Sequence, residues 1–297
     1  MKINYLRRAA GLLTLALAVM LASSCSKDDD EDDDENIEDP KKAFFEEKLP
    51  MPEISHEAVD LGLPSGTKWA SMNIGAASES EIGLYFAWGE TVGFGTSPAD
   101  GRPFFLGDYK WNDATAGYNL WYGFTKYQIA DGADGSNEQT NPASNWYVDG
   151  NFVGDNKTKL DDADDAAILL WGDGWRMPTK EDIKELCDNC TSVWDTVAGV
   201  IGKRMTSKLN GNSIFLPAGG DRGQQDRHWV GEQGYYWSST LKYDVTADGV
   251  GASTGFAYML FFTAENHENP KNSYEETEPH LHYARRFGGR LIRPVIK

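Results

Sequence analysis

Ten of the twelve residues from Asp28 to Asp39 (DDDEDDDENIED) are acidic, and such a run cannot contribute to a core. Its charges repel one another and it has no apolar face to bury. The run therefore divides the chain, with 25–50 reading as a solvated tether and the folding part starting at Met51. The 247 residues from there on are enough for one large domain or two small ones. The formal charge is −18, and the first 40 residues hold ten acids and four bases, which leaves −12 on 41–297. A body this acidic argues against nucleic acid and anionic membrane as partners.

Ahead of the run, Lys2, Arg7 and Arg8 form a positive region, and Ala9–Leu21 (AAGLLTLALAVML) is uncharged. Thirteen residues rise only about 20 Å as a helix, short of a ~30 Å hydrocarbon core, so the segment reads as the apolar part of a signal peptide over 1–24. Ala22, Ser23 and Ser24 precede Cys25. This resembles the lipobox of bacterial lipoproteins, cut just before a diacylglyceryl-modified cysteine, although Ala22 stands where Leu is usual and Ser24 where Gly or Ala is. The expectation is a lipidated, palmitate-bearing Cys25 that supplies the only membrane contact. An ordinary secretory signal cut nearby, with Cys25 incidental, is the alternative. An acidic run behind the lipid cysteine resembles the signal that sends Bacteroidota-type lipoproteins to the outer face of the outer membrane; a plain spacer is its rival.

In the body, strand-like segments dominate. Glu57–Asn73 reads as two strands joined around Pro64-Ser65-Gly66, and Gly83–Glu90 as a third. Two helices follow, one near Asp162–Leu170 and one over Lys180–Asn189, the second announced by Thr179 and Asp182 in a T-x-x-D cap behind Pro178. Ser213–Pro217, Gly234–Ser239, Phe256–Phe262 and Arg290–Ile296 read as further strands, the first and last strands being candidates for pairing. The expectation is an α+β domain over 51–297: mainly antiparallel strands, two central helices and long loops, with an aromatic insert at 91–158. Cys187 and Cys190 fall on one helix face with Ile183 and Leu186. That spacing favours buried thiols over a C-x-x-C redox or zinc site, since no second pair exists.

The segments VDLGLPSGTKWASMNIGA (59–76), YFAWGE (85–90), WGDGWRMPTKEDIKELCDNC (171–190), NGNSIFLPAGG (210–220), GYYWSS (234–239) and GRLIRPV (289–295) resemble the Fibrobacter succinogenes major paralogous domain family. They occur in that family's order across nearly the whole body. The resemblance implies a C-type lectin-like fold and carries no settled activity. The unit from Trp175 into the second helix also resembles one in the formylglycine-generating sulfatase-modifying proteins. Those enzymes use a late cysteine pair, and this chain has no cysteine after Cys190.

Between Phe104 and Phe152 stand twelve aromatics in 49 residues, interleaved with amides and acids. Sugars are held by this mixture, because ring faces cover the C–H side of a pyranose while amides and carboxylates bond its hydroxyls. The ligand-binding expectation falls on Trp111, Asn112, Asp113, Tyr118, Trp121, Tyr122 and Trp146; its rival is an insert packed on its own rings. Trp111-Asn112-Asp113 also spells the WND of calcium-dependent lectins, but it stands before both helices and lacks the other calcium ligands, so no cofactor is expected. Asp131–Glu138 reads as a turn rather than a calcium loop. His267, His280 and His282, near Glu265, Glu275, Glu276 and Glu278, read as a polar loop rather than a zinc or nickel site. Arg293 is expected to pair with a carboxylate inside the domain. No nucleophile elbow, P-loop, HExxH or dinucleotide fingerprint occurs. The expectation is a non-catalytic, adhesin-like surface protein whose partner is a glycan or another surface protein. An accessory subunit of a surface assembly and a polysaccharide hydrolase are the alternatives.

Overall fold

The run Phe256–Thr263 (FAYMLFFT) has apolar residues pointing both ways from a strand, so that strand must be covered on both faces. In the computed structural model it is β11, the middle of a three-stranded antiparallel sheet between β10 (Gln233–Leu241) and β12 (His280–Arg285). Tyr236, Leu260 and Phe262 join one hydrophobic cluster, and Trp237, Ala257, Met259 and Phe261 join another. Each cluster takes one helix: Ala166, Ala167 and Trp171 of α1 (Ala166–Trp171) belong with Trp237, while Ile183 and Leu186 of α2 (Lys180–Asn189) belong with Leu260. The structure describes residues 55–95, 103–113, 123–129, 146–149, 151–172, 174–224, 226–244, 254–264 and 278–297. The signal peptide, Cys25, the acidic run, Tyr118, Trp121, Tyr122, Asp131–Glu138, His267, Glu265, Glu275 and Glu276 lie outside them. Among the described residues no helix is long and apolar enough to cross a membrane.

Among the described residues the fold is α+β, mostly antiparallel strands with two α-helices. The two ends of the body meet. β1 (Ala58–Val59) and β13 (Val295–Ile296) both pair with β2 (Lys68–Ala70), with Trp69 opposite Val59 on one side and Val295 on the other. Arg293, fully buried, fastens this seam: it donates to Asn73 Oδ1 at 2.8 Å, to the Ala70 carbonyl at 3.0 Å and to the Phe215 carbonyl at 2.7 Å. These acceptors are an amide and two backbone oxygens, not the expected carboxylate. Burial pulls its pKa down to about 10.

Three elements differ from their sequence reading. The stretch 83–90 forms no ladder, only single bridges from Tyr85 to Phe94 and from Phe86 to Arg290, and Trp88 N–H bonds Arg286 O. Leu84, Tyr85, Phe86 and Trp88 each donate to a different part of the chain, the carbonyls of Ile74, Phe94, Arg290 and Arg286. The first helix begins at Ala166, after a 3₁₀ turn over Asp162–Asp164. Asp165 sets that start: its buried carboxylate accepts from the N–H groups of Ala167, Ile168 and Met177, capping the helix and tying it to the strand-like segment behind it. The third is a hairpin the sequence reading passes over, β5 (Cys190–Val197) and β6 (Val200–Ser207), turning at Ala198-Gly199 with φ of 49° and 83°. Positive φ at both positions marks the type I′ turn suited to two-residue hairpins. β6 then pairs with β7 (Ser213–Pro217).

The cap on α2 is as expected. Thr179 Oγ1 accepts from Asp182 N, and the Asp182 carboxylate accepts from Thr179 N. Asp182 also takes a two-pronged bond from Arg176, at 2.6 and 3.2 Å. Cys187 and Cys190 are free thiols, pushed up by burial to about 12 and about 11, so neither offers a thiolate near neutral pH.

Burial raises the pKa of Asp182, and the bonds from Arg176 and Thr179 more than offset it, leaving the carboxyl below its ordinary 3.8. Its contribution to stability is therefore whole above about pH 4 and is lost as pH falls through the folded value. Asp182→Asn should cost about 2–4 kcal/mol in urea unfolding at pH 7, since it strands a half-buried Arg176. The gap from wild type should shrink at pH 3; a gap constant with pH would place the cost elsewhere.

Candidate functional site

Arg286 follows directly on β12 and is fully buried. Four aromatic rings surround its guanidinium, with centroids at 4.8 Å (Phe124), 5.0 Å (Trp88), 5.3 Å (Tyr109) and 5.7 Å (Tyr127). Its donors reach Tyr109 Oη at 3.1 Å and the carbonyls of Thr254, Lys126 and Tyr127 at 2.9, 3.0 and 3.4 Å. Three of the four rings come from the insert, so part of its aromatic content is a cage built inward around one cation. Phe104 and Trp146 are buried in the core as well, Trp146 being 2% exposed and packed against Phe124. A ring so enclosed offers no face to a ligand.

The cage also joins described segments that border stretches outside the described residues. Lys126 and Tyr127 lie just after 114–122 and just before 130–145, and Thr254 follows 245–253. Ile129 N–H bonds Thr254 Oγ1 at 3.2 Å, and Asn112 bridges to Phe124. One buried arginine thus ties together described residues from 126–127 and 254, which lie far apart in sequence.

Trp111, Asn112 and Asp113 sit on top of this base. Asn112 is buried, Asp113 is half-buried with its N–H on the Gly123 carbonyl, and Trp111 is half-buried with Nε1–H on the Gly89 carbonyl at 3.1 Å. Around the indole lies a polar network. The Lys110 and Lys126 ammonium groups lie 4.4 and 5.0 Å from its ring centroid. Lys126 reaches Asp164 at 2.5 Å and Asp161 at 2.7 Å, and Lys157 reaches Asp161 at 2.7 Å. Tyr127 donates its hydroxyl to the buried Asp164 and accepts at that oxygen from Asp161 N–H. The Lys126 and Lys157 ammonium groups hold the Asp161 carboxyl below its ordinary value. Burial, with a contribution from Asp164, pushes the Tyr127 phenol up. Tyr127 also has φ 61°, an uncommon conformation for a bulky residue, and Asp155 pins it by accepting from the N–H groups of Tyr127 and Gln128.

Sequence reasoning finds the indole but misses its partners. Lys110, Lys126, Asp161 and Asp164 are scattered over 55 residues, and the acids of 161–165 read as a helix start. His280 and His282 share one side of β12, with ring centroids 5.8 Å apart and packed on Phe261. Among the described residues no group of three or more His, Cys, Asp or Glu is placed to hold a metal ion. A separate open groove of about 590 Å³ is lined by residues of β1 and β7 and the segments beside them, with Glu57, Asp60 and Glu79 in its wall. Glu79 is 3.5 Å from Arg204. No family model, curated protein or solved structure matches the chain.

Arg286→Lys should remove most of the donors while leaving their buried carbonyl acceptors in place. A loss of about 3 kcal/mol or more in unfolding free energy is expected. Limited proteolysis should then cut first between 113 and 146 or between 244 and 254. Unchanged stability with an unchanged cutting pattern would show that the cage is not the fastening.

Proposed function

We propose that the chain is a lipoprotein anchored through Cys25 at the outer membrane and displayed outward, with a non-catalytic binding module as its body. The resemblance to the Fibrobacter succinogenes major paralogous domain family, and through it to C-type lectin-like domains, supports this architecture, as do the antiparallel strands and the two helices. Two sequence features support display: the apolar segment ending at Cys25 and the acidic run behind it. Blocking signal peptidase II should leave a precursor that keeps residues 1–24, and Cys25→Ala should abolish incorporation of labelled palmitate. Palmitate labelling that survives Cys25→Ala would remove the anchor from this residue.

The ligand proposed is a glycan. One observation carries it: a half-buried Trp111 indole with the Lys110 and Lys126 ammonium groups against its ring, Lys126 being bonded in turn to Asp161 and Asp164, on a floor that the Arg286 cage fastens. An apolar ring face with directional donors and acceptors beside it is what a pyranose requires, and a rigid base lowers the entropy lost on binding. Lys110 and Lys126, each about a quarter exposed, would swing from the ring to the sugar hydroxyls. The seven-residue site expected from sequence thus contracts, among the described residues, to the Trp111 neighbourhood.

The test is a glycan array probed with the soluble body 51–297, with and without calcium. Wild type should bind at least one glycan class above background, and Trp111→Ala and Asp161→Ala should each weaken that binding about tenfold or more with little change in melting temperature. No binding by wild type, or binding indifferent to both substitutions, would sink the glycan reading. A second reading, an accessory subunit of a surface assembly, draws on β12, which has one strand neighbour among the described residues and so presents a β edge.

A further inference from the structure

β5 is an end strand of its sheet, paired with β6 along its whole length without a break in register. Its turn tells which backbone groups face outward. A two-residue turn of this kind makes Val197 and Val200 a hydrogen-bonded pair, so 191, 193, 195 and 197 aim their peptide groups at β6 while 190, 192, 194 and 196 aim theirs away. The far side of β6 agrees: Ser207 N–H reaches Asn212 O, and Ile201 O accepts from Ala218 N–H, as alternation from Val200 requires. Two of the outward N–H groups are met within the chain, that of Cys190 by the Leu186 carbonyl and that of Thr196 by the Asp195 carboxylate at 2.7 Å. Among the described residues nothing meets the N–H and C=O of Ser192 and Trp194. The devices that blunt an edge are missing as well. β5 has no proline and no bulge, and its one charged side chain, Asp195, is turned to Arg204 at 2.6 Å. Val193, between the two open residues, is 58% exposed.

We propose that β5 is a docking edge for β5 of a second copy of this chain, joined antiparallel about a two-fold axis at Val193. That register sets Ser192 against Trp194 twice over, so every open donor and acceptor of both strands is answered. Every other antiparallel register that faces outward residues with one another sets Ser192 or Trp194 against Cys190 or Thr196, whose N–H is already bonded, or beyond the end of the strand. The same axis lays Val193 on the partner's Val193, in the closer type of antiparallel pair, and Asp195 against the partner's Thr191, so no like charges oppose. The patch is thus complementary to itself, which a two-fold contact requires. A strand edge buries well under the ~1,200 Å² of a standard interface, and two acidic bodies repel, so the dimer is weak and strengthens as salt screens the repulsion. The inference rests on none of the Trp111 residues.

The test is cysteine cross-linking of the full-length protein. Val193→Cys places two thiols across the axis, with Cα atoms about 4.5 Å apart, a separation that suits a disulfide. Mild oxidation should give about tenfold or more covalent dimer than with Leu209→Cys, which is 78% exposed and outside the sheet. A mixture of Thr191→Cys and Asp195→Cys chains should cross-link faster than either chain alone. In sedimentation the uncross-linked dimer should weaken about tenfold or more in Val193→Lys, where two ammonium groups would meet, with little change in melting temperature. Ser192→Pro, which removes an N–H that β6 does not use, should do the same. Equal cross-linking of Val193→Cys and Leu209→Cys, or a dimer untouched by both Val193→Lys and Ser192→Pro, would overturn the proposal. Thr191→Cys linking to itself as fast as in the mixture would overturn it through the register. A dimer that weakens with salt would come from a charged face elsewhere and count against it equally. Capture of a different protein by Val193→Cys in intact cells, with no second copy captured, would make β5 an edge for that protein instead and overturn the pairing.

Discussion

Burying a guanidinium in a protein interior is costly unless its charge and its donors are all answered. At Arg286 the answer comes from three backbone carbonyls, one phenol and four ring faces, none of them a carboxylate. The carbonyls belong to positions far apart in sequence, 126–127 and 254, and the rings to 88, 109, 124 and 127. Satisfying one side chain therefore brings the insert, the stretch before it and the end of the central sheet into a single arrangement. Arg293 does the same for the seam between the two ends of the body, again through uncharged oxygens. The fold is stapled by cations that find dipoles and ring quadrupoles, which fix direction more tightly than a flexible ion pair on the surface.

This explains why some of the architecture was legible in the residues and some was not. The T-x-x-D cap is a local device whose partners lie three residues apart, so Thr179 and Asp182 announce α2 directly. The first and last strands are expected to pair with each other; each pairs with β2 instead, which lies between them. The β5–β6 hairpin could not be foreseen, because its alternation is blurred: Lys203 is buried beside Trp194 while Val193 and Ile201 face water. Its one plain signal is the Ala198-Gly199 turn. Stretch 83–90 looks like a strand because its side chains are core residues, yet its backbone is shared among several neighbours one bond at a time.

The aromatic insert is the instructive case. Trp, Tyr and Phe among amides and acids suit both a sugar platform and a cage around an internal cation, and composition alone does not separate the two. What separates them is the arginine at 286, about 160 residues from Tyr127; no local window contains both. Phe124, Tyr127 and Tyr109 go to the cage, Trp146 to the core, and Trp111 stays half-buried with two lysines against its ring, one of them bonded to aspartates of a third stretch.

Because β1 and β13 flank β2, the points where the chain enters and leaves the body are two strand spacings apart, about 10 Å. A module with its two ends so close can be spliced into a surface loop of another protein without prising that loop open, or strung in series on short connectors. The same closeness makes it suited to circular permutation: the old ends can be joined by a few residues and new ones opened elsewhere, while the Arg293 seam that held them stays whole.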